Sequence, residues 1–418
     1  MKQFFRILSG LTAGCAVILS AILTIAGTSM PDSYRISSHS SLSVTAMGMT
    51  AQIGTPSDQG ELLANASSPG VNAQSNKYET QLMLFQTIPI KTVQVDVVKE
   101  TKVIPCGTPF GIKMFTNGVV VVGTADIDTP EKTVNPASAA GIKIGDVITQ
   151  VNGEPVNQNE EIAEAIEESE GKPLSLTFLR EKKTMHATLT PVKSSYDNTY
   201  KGGLWVRDST AGIGTVTFYD PEAGAFGGLG HGICDNDTRD LMPMKTGEIV
   251  AVTISGVVKG QQGSAGELRG YFTSNEPVGA LAANLETGVY GSMDQAPVAG
   301  ESVPVAMKQE VKVGPAKILA TIEGDTPQYY DAEIQSVDYS GDTTTKNMVI
   351  KITDPKLLEA TGGIVQGMSG SPILQNGKLV GAVTHVFLSE PSQGYGIFAE
   401  NMLEVSERLE ENALSKVS

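Results

Sequence analysis

The stretch Gly367–Pro372, which reads Gly-Met-Ser-Gly-Ser-Pro, has the residue types that a serine nucleophile requires. Such a serine needs an exposed hydroxyl on a tight turn, with backbone N–H groups that converge on the oxyanion formed during acyl transfer. Glycines on both sides of Ser369 allow the backbone to make that turn. A glycine-rich turn with a serine is often only a turn, so Ser369 is a candidate that needs support from the rest of the chain.

The residues after Ser369 supply part of that support. Asn376–Thr384 has the pattern of a hairpin turn and a buried strand, Gly394–Phe398 that of another strand, and a helix is predicted to follow. Together with the hexamer, this order resembles chymotrypsin-like peptidases. The resemblance implies that the N–H groups of Gly367 and Ser369 form the oxyanion hole.

A serine nucleophile also requires a general base, and the chain has four histidines. His39 lies in a polar segment, His186 in a predicted strand of another domain, and His385 on the strand after Ser369, where chymotrypsin-like enzymes have a pocket-wall residue. His231 lies in a glycine-rich loop after a strand-like run, with the order and separation from Ser369 that suit the first barrel of that fold. We therefore predict that His231 is the base; the alternative is a structural histidine in a loop.

A second module is predicted upstream, from about residue 101 to 193. Ala140–Ile148 and Val151–Gly153, followed by one helix, resemble a PDZ domain of bacterial exported proteases. In such domains a hydrophobic-Gly-hydrophobic loop binds the terminal carboxylate of a peptide, which adds as an edge strand. Phe110, Gly111 and Ile112 fit that loop, although an ordinary turn at the start of a strand would have the same pattern.

Composition limits the partners and the compartment. The formal net charge of −16 over 418 residues argues against nucleic acid as a partner and favours proteins or peptides. Lys2 and Arg6 precede an apolar run from Ile7 to Ala26, which is long enough to span a bilayer, so the rest of the chain is expected to be exported, either anchored or secreted after cleavage. The chain has no CxxC or HExxH spacing, so no metal or cofactor is expected.

These patterns predict a mainly β protein in which a PDZ domain is followed by a chymotrypsin-like double β-barrel. The expected divisions are an anchor at 1–30, a flexible tether or pro-segment at 31–77, a PDZ domain with a leading strand at 78–195, and a peptidase domain at 196–418. The tether is expected from its Ser-, Gly-, Asn- and Gln-rich composition.

Taken together, the motifs resemble the stage IV sporulation protein B family of endospore-forming bacteria. That resemblance implies a triad acid shortly before the nucleophile, which here is Asp354, whereas chymotrypsin-like enzymes place the acid midway between His and Ser, where Asp294 is the candidate. Asp354 precedes Pro355, so it also fits the N-cap of a short helix.

The family resemblance implies a serine endopeptidase that cleaves its own tether and then the regulatory subunit of an intramembrane metalloprotease complex. It places the protein between the forespore and mother-cell membranes, in the checkpoint that activates sigma-K. The alternatives are an exported quality-control PDZ protease and a non-catalytic PDZ scaffold.

Overall fold

The protein is described by a computed structural model over residues 27, 30–37, 43–46, 49–52, 77–84, 88–341 and 343–417. The predicted apolar anchor, Ile7 to Ala26, lies outside these residues. Within them, no helix has both the length and the hydropathy needed to cross a bilayer. The described chain forms an N-terminal sheet, the region predicted to be a PDZ domain and two six-stranded barrels, which confirms the predicted mainly β fold class.

The N-terminal sheet contains β1 (Ser33–Ser37), β2 (Ser43–Ala46), β3 (Met49–Gln52), β4 (Lys77–Leu84) and β5 (Ile88–Val98), in the order β1-β5-β4-β3-β2. Alternate residues of β1 and β5, among them Tyr34, Ile36 and Val95, are buried in a small core. The prediction of a wholly flexible segment over 31–77 is therefore wrong for β1 to β3, because β1 buries two large apolar side chains that the polar average composition concealed.

Ten strands and two helices lie between β5 and the long strand β16. In chain order the elements are β6 (Lys102–Pro105), β7 (Pro109–Thr124), β8 (Ile127–Asp128), β9 (Thr133–Val134), α1 (Pro136–Ala139), β10 (Val147–Val151), β11 (Glu154–Pro155), α2 (Asn159–Glu168), β12 (Leu174–Arg180), β13 (Lys183–Leu189), β14 (Val192–Lys193), β15 (Tyr200–Lys201) and β16 (Leu204–Asp220).

The remaining elements build the rest of both barrels. They are β17 (Ala225–Gly228), β18 (Met244–Val258), β19 (Glu267–Leu285), β20 (Gly288–Met293), β21 (Val303–Pro304), a 3-10 turn (Lys308–Glu310), β22 (Gly314–Ala320), β23 (Gln328–Val337), β24 (Met348–Ile352), α3 (Pro355–Thr361), β25 (Pro372–Gln375), β26 (Lys378–Val386), β27 (Gln393–Phe398) and α4 (Ala399–Val417).

The first barrel closes because β7 pairs with both β18 and β16. Its strand order is β7-β18-β19-β20-β17-β16, with β16 returning to β7. The second barrel is closed in the order β22-β23-β24-β27-β26-β25. Its core is almost entirely aliphatic, and Val252, Ile254 and Leu268 of the first barrel pack into it, so the two barrels share a buried interface.

The PDZ domain is an insertion in the first barrel. One antiparallel ladder joins β7 to β16, from Pro109 opposite Thr215 to Thr124 opposite Leu204. At one end of this ladder β18 also pairs with β7, and that end belongs to the barrel. At the other end β10 pairs with β7 at Val119 and Val120, and the sheet continues through β12 and β13 into the PDZ domain. The predicted boundary at 195/196 is therefore wrong: barrel residues lie on both sides of the PDZ domain.

The insertion also corrects the predicted carboxylate-binding loop. Phe110, Gly111 and Ile112 lie inside β7, paired on one side with β16 and on the other with β18. Phe110 and Ile112 are buried in the core of the first barrel. Because a strand with neighbours on both sides has its main-chain groups committed to those neighbours, this segment cannot receive a peptide carboxylate.

Candidate active site

Ser369 lies on a tight loop between α3 and β25. Gly367 and Gly370 have φ values of +95° and +96°, a region that favours glycine. A Cβ at Gly370 would lie 2.1 Å from the carbonyl oxygen of Thr215 and 2.6 Å from the amide nitrogen of Leu229. The second glycine is therefore required for close approach to the first barrel as well as for the turn.

Two threonines of the first barrel hold this loop in place. The Oγ1 of Thr215 donates to the carbonyl oxygen of Gly367 at 2.7 Å, and the Oγ1 of Thr217 donates to that of Gly370 at 2.7 Å. The backbone N–H of Thr215 also donates to the carbonyl of Ser369 at 3.1 Å. Sequence reasoning missed both threonines; their signal was the alternation of threonine with Val216 and Phe218, which places two hydroxyls on one face of β16.

The amides predicted to form the oxyanion hole are available. Neither the N–H of Gly367 nor that of Ser369 has an acceptor among the described residues. The Ser369 hydroxyl donates to the carbonyl oxygen of Thr384 at 2.9 Å. The loop thus has two free backbone donors beside the Ser369 hydroxyl, as an oxyanion hole requires.

His231 follows β17 on a loop with two residues in the left-handed region, Leu229 and Gly230. Its Nδ1 lies 2.9 Å from the carbonyl oxygen of Gly232. When Nδ1 carries the proton and donates to this carbonyl, Nε2 is left as the acceptor that a general base requires. Burial lowers the pKa of His231, which the Gly232 carbonyl partly counteracts, so the imidazole is neutral near pH 7.

A single cleft of about 1080 Å³ between the barrels brings the predicted residues together. His231, Ser369 and Gly367 all line it. His385 lies there too, with its ring centre 5.0 Å from that of His231. Although His385 reaches solvent, loss of water around its ring, together with the nearby His231 and Lys346, lowers its pKa to about 4. His385 is thus a neutral neighbour of the base.

Neither candidate acid contacts His231. The carboxylate of Asp354 caps α3, accepting from the amides of Lys356 at 2.9 Å and Leu357 at 3.3 Å, and its other oxygen accepts from the amide of Asp331 at 3.3 Å. Asp294 is exposed. No hydrogen bond or ion pair joins either carboxylate to His231 in the described chain, so the Gly232 carbonyl is the group that orients the imidazole here.

The capping role of Asp354 predicts a specific pair of outcomes. Asp354→Ala is expected to lower the free energy of unfolding by about 1 kcal/mol, because two helix amides lose their acceptor, whereas Asp354→Asn is expected to cost only a few tenths, because asparagine also caps. Chemical denaturation measures both; equal losses would contradict the cap. Since the asparagine keeps the cap and removes the charge, a fall in kcat of that variant would identify a role of the charge in the reaction.

The lowered pKa of His231 predicts an extended acid limb in the pH profile. A base with a lowered pKa stays neutral to lower pH, so kcat/KM should hold its value down through pH 6.5, the ordinary pKa of histidine, and fall only below it. A peptide assay at constant ionic strength gives this profile. A half-maximal point above pH 7 would contradict the buried, neutral imidazole.

Comparison with known proteins identifies two regions of the chain. The family model described as SpoIVB peptidase S55 matches residues 198–403, and a PDZ domain model matches 134–180. The first region spans His231, Asp354 and Ser369, and the second spans the helix and strands that suggested a PDZ domain.

Solved structures show weaker similarity. The PDZ domain of an SdrC-like protein from Listeria monocytogenes is 19% identical over 22% of this chain and 87% of its own, with a TM-score of 0.18. The protease Rv3671c from M. tuberculosis in its active form is 15% identical over 47% of this chain and 72% of its own, with a TM-score of 0.24. The HtrA-type protease AlgW is 12% identical over 49% of this chain and 55% of its own, with a TM-score of 0.26. Because these scores are low, the assignment depends on the family model and on the site.

Proposed function

Because the chain belongs to the SpoIVB peptidase S55 family and is a serine peptidase, we propose that it is a signalling endopeptidase of sporulation, which cleaves itself and then a membrane-bound regulator. The observation that carries the chemistry is the common cleft of His231 and Ser369. Membership of the SpoIVB peptidase family supports the sporulation role.

The proposed reaction gives each of these groups the role that it has in serine peptidases. His231 Nε2 takes the proton of the Ser369 hydroxyl, which first turns away from the Thr384 carbonyl, and the oxygen of Ser369 attacks the scissile carbonyl. The negative charge that develops on the carbonyl oxygen is stabilised by the N–H groups of Gly367 and Ser369. His231 then gives its proton to the leaving amine, and water releases the acyl group by the same steps in reverse. The Gly232 carbonyl stabilises the imidazolium through Nδ1–H.

The proposed location is the exported side of a membrane, with the chain anchored through the run from Ile7 to Ala26 or released after its removal. The proposed protein substrate there is the regulatory subunit of an intramembrane metalloprotease complex. A PDZ domain supports a protein substrate, since its fold binds extended peptides by strand addition.

The first substrate is proposed to be the chain's own N-terminal region. We propose that the cut lies between about Ser37 and Gln86, which covers most of the predicted tether and the strand after it; within this range β2, β3 and β4 are paired strands. A peptide bond must leave its sheet before it can lie extended in an active site, so cleavage is expected in the polar sequence between β3 and β4, at 53–76.

Sequencing of the mature N-terminus tests this proposal. The wild-type chain, expressed from Met1, should yield a new N-terminus within 53–76, and Ser369→Ala should retain the longer form. Identical fragments from both proteins would identify a contaminating protease and exclude self-cleavage. Covalent labelling of Ser369 by a serine-directed phosphonate would separate an active peptidase from the non-catalytic scaffold.

A further inference from the structure

The strand β16 has one free edge along most of its length. Over residues 204–213 its strand pairing in the described chain is with β7 alone, and β17 joins the opposite edge only from Val216. In a strand, every second residue directs its N–H and C=O to a given edge. The free edge of β16 therefore offers a row of main-chain donors and acceptors to another strand.

This free edge runs from the PDZ domain to the catalytic cleft. At one end, Leu204 and Val206 pack with the core that contains α2, and the N–H of Asn159, the first residue of α2, donates to Asp208. At the other end, Thr210 to Ile213 line the same cleft as Ser369. One strand thus forms part of both sites.

The free edge of β16 is continuous because the bulges in its ladder with β7 lie on β7. Arg207 pairs with Val120 and Ser209 pairs with Phe115, so four residues of β7 lie opposite the single Asp208 of β16. Because the extra residues belong to β7, it is β7 that bulges out of the ladder, while β16 stays extended. From Leu204 to Ile213 it is ten residues long, or about 33 Å at the usual rise of a strand.

We propose that an extended peptide substrate adds antiparallel to β16 along this whole edge, so that one bound segment occupies the catalytic cleft and the PDZ domain together. An antiparallel peptide that starts in the cleft runs towards the PDZ domain in its N-to-C direction. About ten residues on the carboxyl side of the scissile bond therefore contact the enzyme. This proposal rests on the proposed peptidase function of the Ser369 site and assigns its substrate class: long unfolded segments, with no requirement for a free carboxyl terminus.

A series of peptides tests the length of the site. A bond that the wild-type protein cleaves in unfolded casein is placed in synthetic peptides with about two, four, seven, ten or fourteen residues after it, each as free acid and amide. We expect kcat/KM to rise at least about tenfold between four and ten residues, because a few added main-chain hydrogen bonds give that factor, and then to level off equally for acid and amide. A matched series extended before the scissile bond should show no such rise. A plateau by four residues, or a rise only in the matched series, would overturn the proposal.

Binding is measured separately from cleavage. Trp205, the only tryptophan of the chain, lies on β16 and is 65% exposed, so its emission reports a strand added beside it. In the full-length Ser369→Ala protein, the peptide with ten residues after the bond is expected to change this emission in a saturable way, and the peptide with two is not. If both peptides changed the Trp205 emission equally, or neither changed it, the proposed binding of a long peptide along β16 would be refuted, even if the enzyme cleaves peptides. A wild-type protein that cleaves no peptide would instead contradict the proposed function, while this titration still decides on the edge.

Discussion

Ser369→Ala and His231→Ala are each expected to lower kcat for a peptide substrate by about 10⁴-fold or more, because each removes a group that the other needs. Activity assays on the purified exported region would measure this loss. Both proteins should fold normally: the hydroxyl of Ser369 makes one hydrogen bond, to Thr384, which contributes about 1 kcal/mol. The same variants should lose self-cleavage. Near wild-type turnover by either variant would exclude that residue from the reaction.

Ser371→Ala is a matched control for the nucleophile variant. Ser371 lies two residues further along the same loop, is fully buried, and its hydroxyl has no hydrogen-bond partner among the described residues. Removal of an unsatisfied buried hydroxyl costs little or stabilises the fold. Its turnover should therefore be close to that of the wild type, with equal or higher stability. A comparable loss in both serine variants would mean that the loop tolerates no change, and the assignment to Ser369 would lose its support.

The sequence was informative about the nucleophile loop because the requirements there are local. Glycines around Ser369 and a strand pattern after it are determined by one tight turn, and the structure places that turn at the mouth of a barrel cleft. His231 was found by elimination and order, and it lies in the same cleft. The nucleophile loop is recognisable because the chemistry restricts residue types at neighbouring positions, whereas His231 was recognisable because the chain has few histidines.

The sequence was misleading where strand pairing is long-range. Phe110, Gly111 and Ile112 have the pattern of a carboxylate-binding loop, but their neighbours in space come from residues 212–214 and 249–251, far along the chain. The same remoteness concealed the PDZ insertion, since no local signal shows that β7 and β16 are adjacent in one barrel. Similarly, the cap at Asp354 was readable from Asp-Pro, whereas its separation from His231 was not.

Gly111→Glu is expected to abolish hydrolysis of short and long peptides alike, because Gly111 belongs to the catalytic barrel. A Cβ at this position would lie 2.5 Å from the ring of Phe272 and 2.7 Å from Val250. Overpacking of a barrel core costs about 1–3 kcal/mol, and a carboxylate buried without a partner adds several more. Such a total is a large part of the stability of an ordinary domain. Activity assays on peptides of both lengths, with thermal unfolding of the same samples, would measure the effect.

Gly256→Ala is a control that distinguishes crowding at Gly111 from a general sensitivity of the barrel to the replacement of glycine. Gly256 lies in β18, the strand that flanks β7, and a Cβ there would meet nothing within 4 Å. Replacement of this glycine should leave activity and stability nearly unchanged, and Gly111→Ala should fall between the two variants. A selective loss on long peptides in Gly111→Glu, with short peptides cleaved normally and the melting temperature intact, would instead return Phe110 to Ile112 to a peptide-binding role. That outcome would contradict the close packing of Gly111 against the side chains of Phe272 and Val250.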